Sequence, residues 1–453
     1  MRSERVRLWR DRFLRFVAGA SSTLLSAVFG VIRNKWLATH LEAAGIGVIS
    51  QVVAGQAWLG ALVGLGLGLP VTRAIGAAVA KGDDERARRV VWTALLLVAA
   101  AALPIAVAGV VFAAPISVAL LGSADYATLV RILMFGVVGM GGFWIVQAMC
   151  AGRSDVRAPI GFAAGAGIVA TGLTFALVPR FGLVGAAVAA ALLYPAGVVT
   201  MLLVHRRRHD RAILPRPRPA FDRGEAKALL SVSGAALLLP LADQGTLLAL
   251  RAHFLRANGI AANGLLQAAI ALSQQVGALF YAYLASYAFG KISGAGGRDG
   301  IEAYTRRQWL PMIGLAAIAI GCAMLGAAPL LHLLYSSRFD AARPMMAATL
   351  LGEFGRVGVQ AVALGSLPLG GARLWASVGI VQPVALAGCY AAYVAAGAGA
   401  MTLPRAYATA GAISFVAAMA LMARSGVTLR RRDLLLTGGA YALLAALALA
   451  TGA

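Results

Sequence analysis

Charge is scarce in this sequence, and acidic charge is the scarcest. Asp, Glu, Lys and Arg make up 13% of its 453 residues, against about 25% in a soluble globular domain. Seventeen acids face 40 basic residues, and only four of the latter are lysine. A chain this poor in polar groups cannot cover a water-facing surface, which excludes an ordinary soluble domain. Cysteine is nearly absent as well: Cys150, Cys322 and Cys389 lie far apart in apolar runs, without paired spacing. That excludes a disulfide framework and gives no zinc or redox signature. HExxH, Walker A, GxGxxG and GxSxG patterns are missing, and the five histidines are scattered. Neither an enzyme, nor a metal site, nor a bound cofactor is expected.

Hydrophobic residues are abundant, at 60% of the total, and they come in runs of roughly 20. A helix of that length crosses the ~30 Å hydrocarbon core of a bilayer. Hydrocarbon admits only helices or closed barrels, because every backbone polar group must be paired internally. Barrel strands would read as alternating stretches of about ten residues, and none are present. The sequence therefore predicts an all-α polytopic membrane protein of about 12–13 transmembrane helices. The runs fall near 13–32, 44–70, 90–113, 128–150, 158–179, 182–204, 229–251, 263–289, 310–331, 345–369, 374–396, 406–423 and 434–452. The last, short and rich in small residues, reads as an addition to a core of twelve. The first follows a basic segment but is too long for a signal peptide's apolar region, and reads as an uncleaved helix.

Arginine sets the orientation. With a cytoplasmic N-terminus, the inside segments 1–15, 81–89, 151–157, 205–227, 290–307, 370–373 and 424–433 hold 29 of the 40 basic residues. This is the positive-inside bias. It also explains the net charge of +23, which in a soluble protein would suggest nucleic-acid binding. No nucleic-acid partner is expected here; the stretch Arg206-Arg207-Arg208 through Arg216 and Arg218 suits anionic lipid headgroups instead. The Gly-rich run Gly64-Leu-Gly-Leu-Gly68 has no basic or hydroxyl residue to meet a phosphate and reads as a close-packing surface.

The chain also repeats itself. Phe135-Gly136-Val137-Val138-Gly139 returns as Phe354-Gly355-Arg356-Val357-Gly358, and each is followed by a small-residue turn with one arginine, Arg153 or Arg373. Gly45-Ile46 and Gly259-Ile260 precede Gln-containing spans in the same order. Six spans per copy is an even number, so the copies are parallel repeats. The expected organisation is an N-terminal six-helix lobe over 1–204, a basic cytoplasmic linker over 205–228, a C-terminal six-helix lobe over 229–424 and an extra hydrophobic segment over 425–453. Two such lobes around a central cavity suit alternating access. A glycan polymerase or ligase would need a large outer loop, and no outer connection here exceeds about 15 residues.

Several patches resemble the polysaccharide transporters, including the O-antigen (Wzx-type) flippases of the multidrug/oligosaccharidyl-lipid/polysaccharide exporter superfamily. They are Phe29 with Ala43-Ala44-Gly45-Ile46-Gly47, Leu65-Gly66-Leu67-Gly68-Leu69 with Arg73, Lys81-Gly82-Asp83 with Arg86-Ala87-Arg88, and the loop from Pro179 to Ala187. Asp243 falls where many members carry an acid. By layout the resemblance covers roughly 13–424, and Phe289-Gly290-Lys291 departs from it, replacing a Pro-containing run. It implies a flippase carrying undecaprenyl-pyrophosphate-linked oligosaccharide from the inner to the outer leaflet of a bacterial inner membrane, with polysaccharide polymerase and chain-length proteins as partners. A multidrug exporter or lipid II flippase of the same superfamily is the alternative.

On that reading the candidate residues separate by chemistry. Asp243 and Glu353 lie deep within apolar runs, where ionisable groups are functional candidates; they are the candidate coupling sites for H⁺ or Na⁺. Glu353 and Arg356 share a helix face, so a mutually neutralising pair is the structural alternative, whereas Asp243 reads as unpaired. Arg33, Lys35, Arg131, Arg251 and Arg256 oppose the topology bias towards the outer side, as pyrophosphate ligands would; snorkelling to headgroups is the alternative. Arg73 matches the family's arginine near the inner end, and Arg356 joins this substrate-binding set. Trp144 and Gln147, and in the eighth span Tyr281, Gln274 and Gln275, are candidates for sugar contact.

Overall fold

The computed structural model describes residues 2–155, 157–207, 221–284, 288, 292 and 297–451. The stretch 208–220, with Arg208, His209, Arg216 and Arg218, and the departure at Phe289-Gly290-Lys291 lie outside them. All regular structure among the described residues is helical.

The chain runs through α1 (Arg2–Val63), α2 (Gly68–Ala80), α3 (Asp84–Val111), α4 (Ala113–Leu121), α5 (Ala127–Gly152), α6 (Ala158–Arg206), α7 (Arg223–Asn258) and α8 (Ile260–Tyr283). It continues with α9 (Arg298–Leu325), α10 (Ala327–Leu334), α11 (Arg343–Ala363), α12 (Ser366–Ala395), α13 (Thr402–Arg424) and α14 (Arg431–Ala450). Nine of the described helices are long and apolar enough to cross a bilayer, ten with the bent α7. α11 is not among them, although its 21 residues suffice in length; it carries Arg343, Glu353 and Arg356. α1 and α6 are each split into two legs by a single non-helical residue, Glu42 (φ 55°) and Gly182 (φ 53°). α12 is split likewise at Gly371 (φ 60°), and with those legs taken singly most of the thirteen runs fall on a helix or a helix leg.

Three expected runs are corrected: 310–331 breaks at Gly326 between α9 and α10, 345–369 passes the end of α11 at Ala363 into α12, and 44–70 ends early. The run at 44–70 stops at Val63, because Leu65 (φ 51°) and Gly66 (φ 65°) turn the chain before α2 starts. The Gly64–Gly68 stretch is thus a turn, and the close packing expected of it holds at Gly64, where a Cβ would overlap the Trp144 ring. Gly66 is required twice there: its φ is left-handed, and a Cβ would press on the Ser233 carbonyl.

The helices form two compact units. The first comprises Met1–His40 and Gln51–Leu241, the second Leu41–Ser50 and Ala242–Ala453, so the division falls within α7. In the first unit α5 is central, packed by α6, α3 and α2. The start of α7 is tied in by an Arg86–Glu225 ion pair of 2.7 Å and by Trp58 Nε1 donating to the Leu241 carbonyl at 3.1 Å.

In the second unit α11 takes the central place, against α13, α8 and α9. Gly352 and Gly355 of α11 meet Gly411 of α13 so closely that any Cβ would overlap backbone. This is the small-residue contact that lets membrane helices approach. α14 packs on α9 and α11, where Trp309 Nε1 donates to Thr437 Oγ1 at 3.0 Å and Tyr441 donates to the Leu351 carbonyl at 3.3 Å.

Candidate functional site

The centre of the second unit is charged. Glu353 on α11 is wholly buried, and both of its carboxylate oxygens are engaged. Tyr407 of α13 donates to Oε2 at 2.8 Å, and Tyr281 of α8 donates to Oε1. Arg356, one helical turn on, stands 3.9 Å from Oε2 and reaches across to α7, where its guanidinium donates to Asp243 Oδ2 at 3.1 Å. Its Cζ lies over the Tyr407 ring, 5.5 Å from the centroid. Among the described residues Asp243 Oδ1, a buried atom, has no hydrogen-bond partner. Space for the acid comes from α8: a Cβ on Gly277 would overlap Glu353 Oε1.

The geometry corrects the sequence reading in two places. Asp243 is not a lone acid; its partner Arg356 comes from another helix, 113 positions along the chain. Tyr281, a candidate sugar contact, turns to Glu353, while Gln274 and Gln275 are exposed on α8. Tyr407 was not anticipated, and only its place on an apolar run hinted at a buried hydroxyl in need of a partner.

Chemically, the cluster sets two carboxylates against one guanidinium. Fully ionised, it is one positive charge short. A buried ion pair adds little net stability, since apolar residues of similar size commonly do as well or better. Stability alone therefore does not explain the arrangement, and one proton or monovalent cation would balance it.

The other candidates are dispersed. Arg251 is buried in the second unit, its guanidinium 3.0 Å from Ser50 Oγ and 3.4 Å from Asn263 Oδ1, and no carboxylate among the described residues is bonded to it. Asn263 in turn donates to the Gly47 carbonyl at 2.8 Å. In the first unit Arg33 and Lys35 are half-buried, and Arg73 and Arg131 are exposed, on α2 and α5. Trp144 and Gln147 are half-buried on α5; the buried Trp144 Nε1 has no partner among the described residues, and Gly64 abuts its ring. Phe143, Phe162 and Tyr194 cluster beside it as tilted rings, with Phe143–Phe162 centroids 4.4 Å apart.

Also unforeseen is a buried trio in the first unit, Cys150, Asp155 and His205. Asp155 sits in the turn between α5 and α6. Burial pushes its carboxyl up, but hydrogen bonds from His205 and from the amides of Arg157 and Ala158 prevail and hold it below the usual carboxylate range.

No protein-family model matches the chain. Its sequence is 30% identical over 224 residues to the Lipid III flippases of Escherichia coli (strain K12) and Shigella flexneri, covering 48% of this chain and 52% of each relative. The chain thus spans about half the length of the curated relatives it matches. Among solved structures, the lipid II flippase MurJ in an inward closed conformation superposes with a TM-score of 0.75 at 11% identity, over 94% of this chain and 91% of that one. An inward-facing multidrug resistance MATE transporter of the MOP superfamily gives a TM-score of 0.71 at 17% identity, over 91% of this chain and 97% of that one. The protein is a multi-pass membrane protein with the two-lobed helical fold that these transporters share.

Proposed function

We propose that this protein is an ion-coupled flippase that moves a lipid-pyrophosphate-linked oligosaccharide from the inner to the outer leaflet of a bacterial inner membrane. The observation that carries ion coupling is the Asp243–Arg356–Glu353 cluster, short of one positive charge and with Asp243 Oδ1 unpartnered at its centre. The substrate class is supported by the 30% identity to the Lipid III flippases and by the fold shared with MurJ. In this reading Asp243 takes the proton or sodium ion, Arg356 holds both acids in register, and Glu353 is fixed by its two tyrosines. Arg131, exposed near the start of α5, is the headgroup ligand; Arg251, held by Ser50 and Asn263, supports packing. Polysaccharide polymerase and chain-length proteins would act downstream on the flipped product.

The experiment is a deletion strain lacking paralogues. Surface polysaccharide should disappear and its lipid-linked repeat unit accumulate, and the wild-type gene should restore both. Asp243→Asn, present at wild-type abundance, should lose gradient-dependent export. Normal surface glycan in the deletion strain would refute the substrate. The likeness to MurJ favours one second reading, a lipid II flippase, for which the same strain would accumulate lipid II instead.

A further inference from the structure

Three side chains that this transport cycle does not use meet at one end of the first unit. α6 folds back at Gly182, its legs held close where Gly161 abuts Val204 and Gly165 abuts Thr200. The last turn of α6 therefore returns beside its first, bringing His205 against the turn that links α5 to α6. That turn is fixed in place: the Asp155 amide donates to the Cys150 carbonyl at 2.9 Å. Asp155 Oδ1 accepts from the amides of Arg157 at 3.1 Å and Ala158 at 3.2 Å. Its Oδ2 faces His205 Nδ1 at 2.8 Å. One ligand atom from each of Cys150, Asp155 and His205 lies within 4.8 Å of the others, and the residues are 0%, 8% and 3% exposed.

We propose that this trio binds a zinc ion. A histidine–aspartate pair needs no thiol beside it, whereas thiolate, carboxylate and imidazole together form a zinc ligand set. Bond lengths of about 2.0–2.3 Å to a tetrahedral ion place ligand atoms roughly 3.3–3.7 Å apart, so the site assembles with shifts of about an ångström. Cys150 releases its thiol proton to water, Asp155 binds ionised through Oδ2, and His205 binds through Nδ1 as the neutral ring with its proton on Nε2. The bound centre is then electroneutral, as a buried site requires, and a water fills the fourth position. Arg153, beside the trio, pairs with Asp84 at 3.3 Å. The ion ties the last turns of α5 and α6 to the turn between them.

The test replaces Cys322 and Cys389 by serine, leaving Cys150 as the sole thiol. Cobalt(II) added to the purified, detergent-solubilised chain should give a thiolate-to-cobalt charge-transfer band at one ion per chain, abolished by zinc. His205→Gln should lose the band. The parent readout needs no change within the trio, so a His205 variant that fails to fold leaves the result standing. Absence of a band in the parent, with no zinc retained after dialysis, overturns the proposal. So does a band that survives unchanged in both His205→Gln and Asp155→Asn.

Discussion

The two units place the same short pattern on their central helices and fill it differently. Phe135-Gly136 of α5 corresponds to Phe354-Gly355 of α11, so Met134 and Val137 occupy the positions of Glu353 and Arg356. Met134 and Val137 are 3% and 0% exposed, and Glu353 is 0% exposed. One framework thus tolerates an uncharged centre in the first unit, with the buried Gln56 amide beside Gly136, and carries a charged one in the second. Charge at this position is not a requirement of the helix bundle, and its presence in the second unit points to use rather than to folding.

The comparison can be broken most severely by Val137→Arg. That change buries a guanidinium in the first unit with neither an Asp243 nor a tyrosine-bound acid to meet it. An uncompensated buried charge costs about 3–5 kcal/mol, and the variant should vanish from the membrane fraction on quantitative blotting. Wild-type amounts would mean that the first unit's centre is more polar than its residues suggest.

A smaller effect is expected from Tyr281→Phe, which leaves Glu353 Oε1 without its donor. Hydrogen bonds to charged groups contribute about 1.5–3 kcal/mol, so thermal unfolding should begin at lower temperature and the ion dependence of export should shift. No change in either would take Tyr281 out of the site. Smallest of all is Met134→Leu, the partner position of Glu353. Volume-conserving apolar swaps cost less than about 1.5 kcal/mol, and export should be unaffected, as a transport assay at matched abundance will show.

What could be read from the sequence follows the reach of local spacing. Run lengths revealed most of the helices, and the loop expected from Pro179 to Ala187 holds the bend at Gly182. The i,i+3 spacing put Glu353 and Arg356 on one face. Spacing along one helix says nothing of what another helix brings, so Asp243 read as unpaired while its partner stood on α11. Tyr407, and the bond from Tyr281 to Glu353, were concealed for the same reason. Cys150, Asp155 and His205 were concealed by a bend that returns a residue 50 positions away to the same turn. The break after Val63 was missed because Gly64-Leu-Gly-Leu-Gly68 is as apolar as the helix before it; only the left-handed backbone at Leu65 and Gly66 distinguishes it.

The most direct measurement gives the second unit an uncharged centre, as the first unit has. Asp243→Leu, Glu353→Gln and Arg356→Met, introduced together, remove every charge of the cluster at similar size and keep an amide for the Tyr281 and Tyr407 hydroxyls to bond. Replacing a buried ion-pair network by apolar groups of similar size is neutral or stabilising by about 1–4 kcal/mol. The triple variant should therefore reach wild-type abundance with an equal or higher Tm, and should have lost gradient-dependent export. A variant that fails to accumulate, or one that exports with its ion dependence intact, would contradict the account.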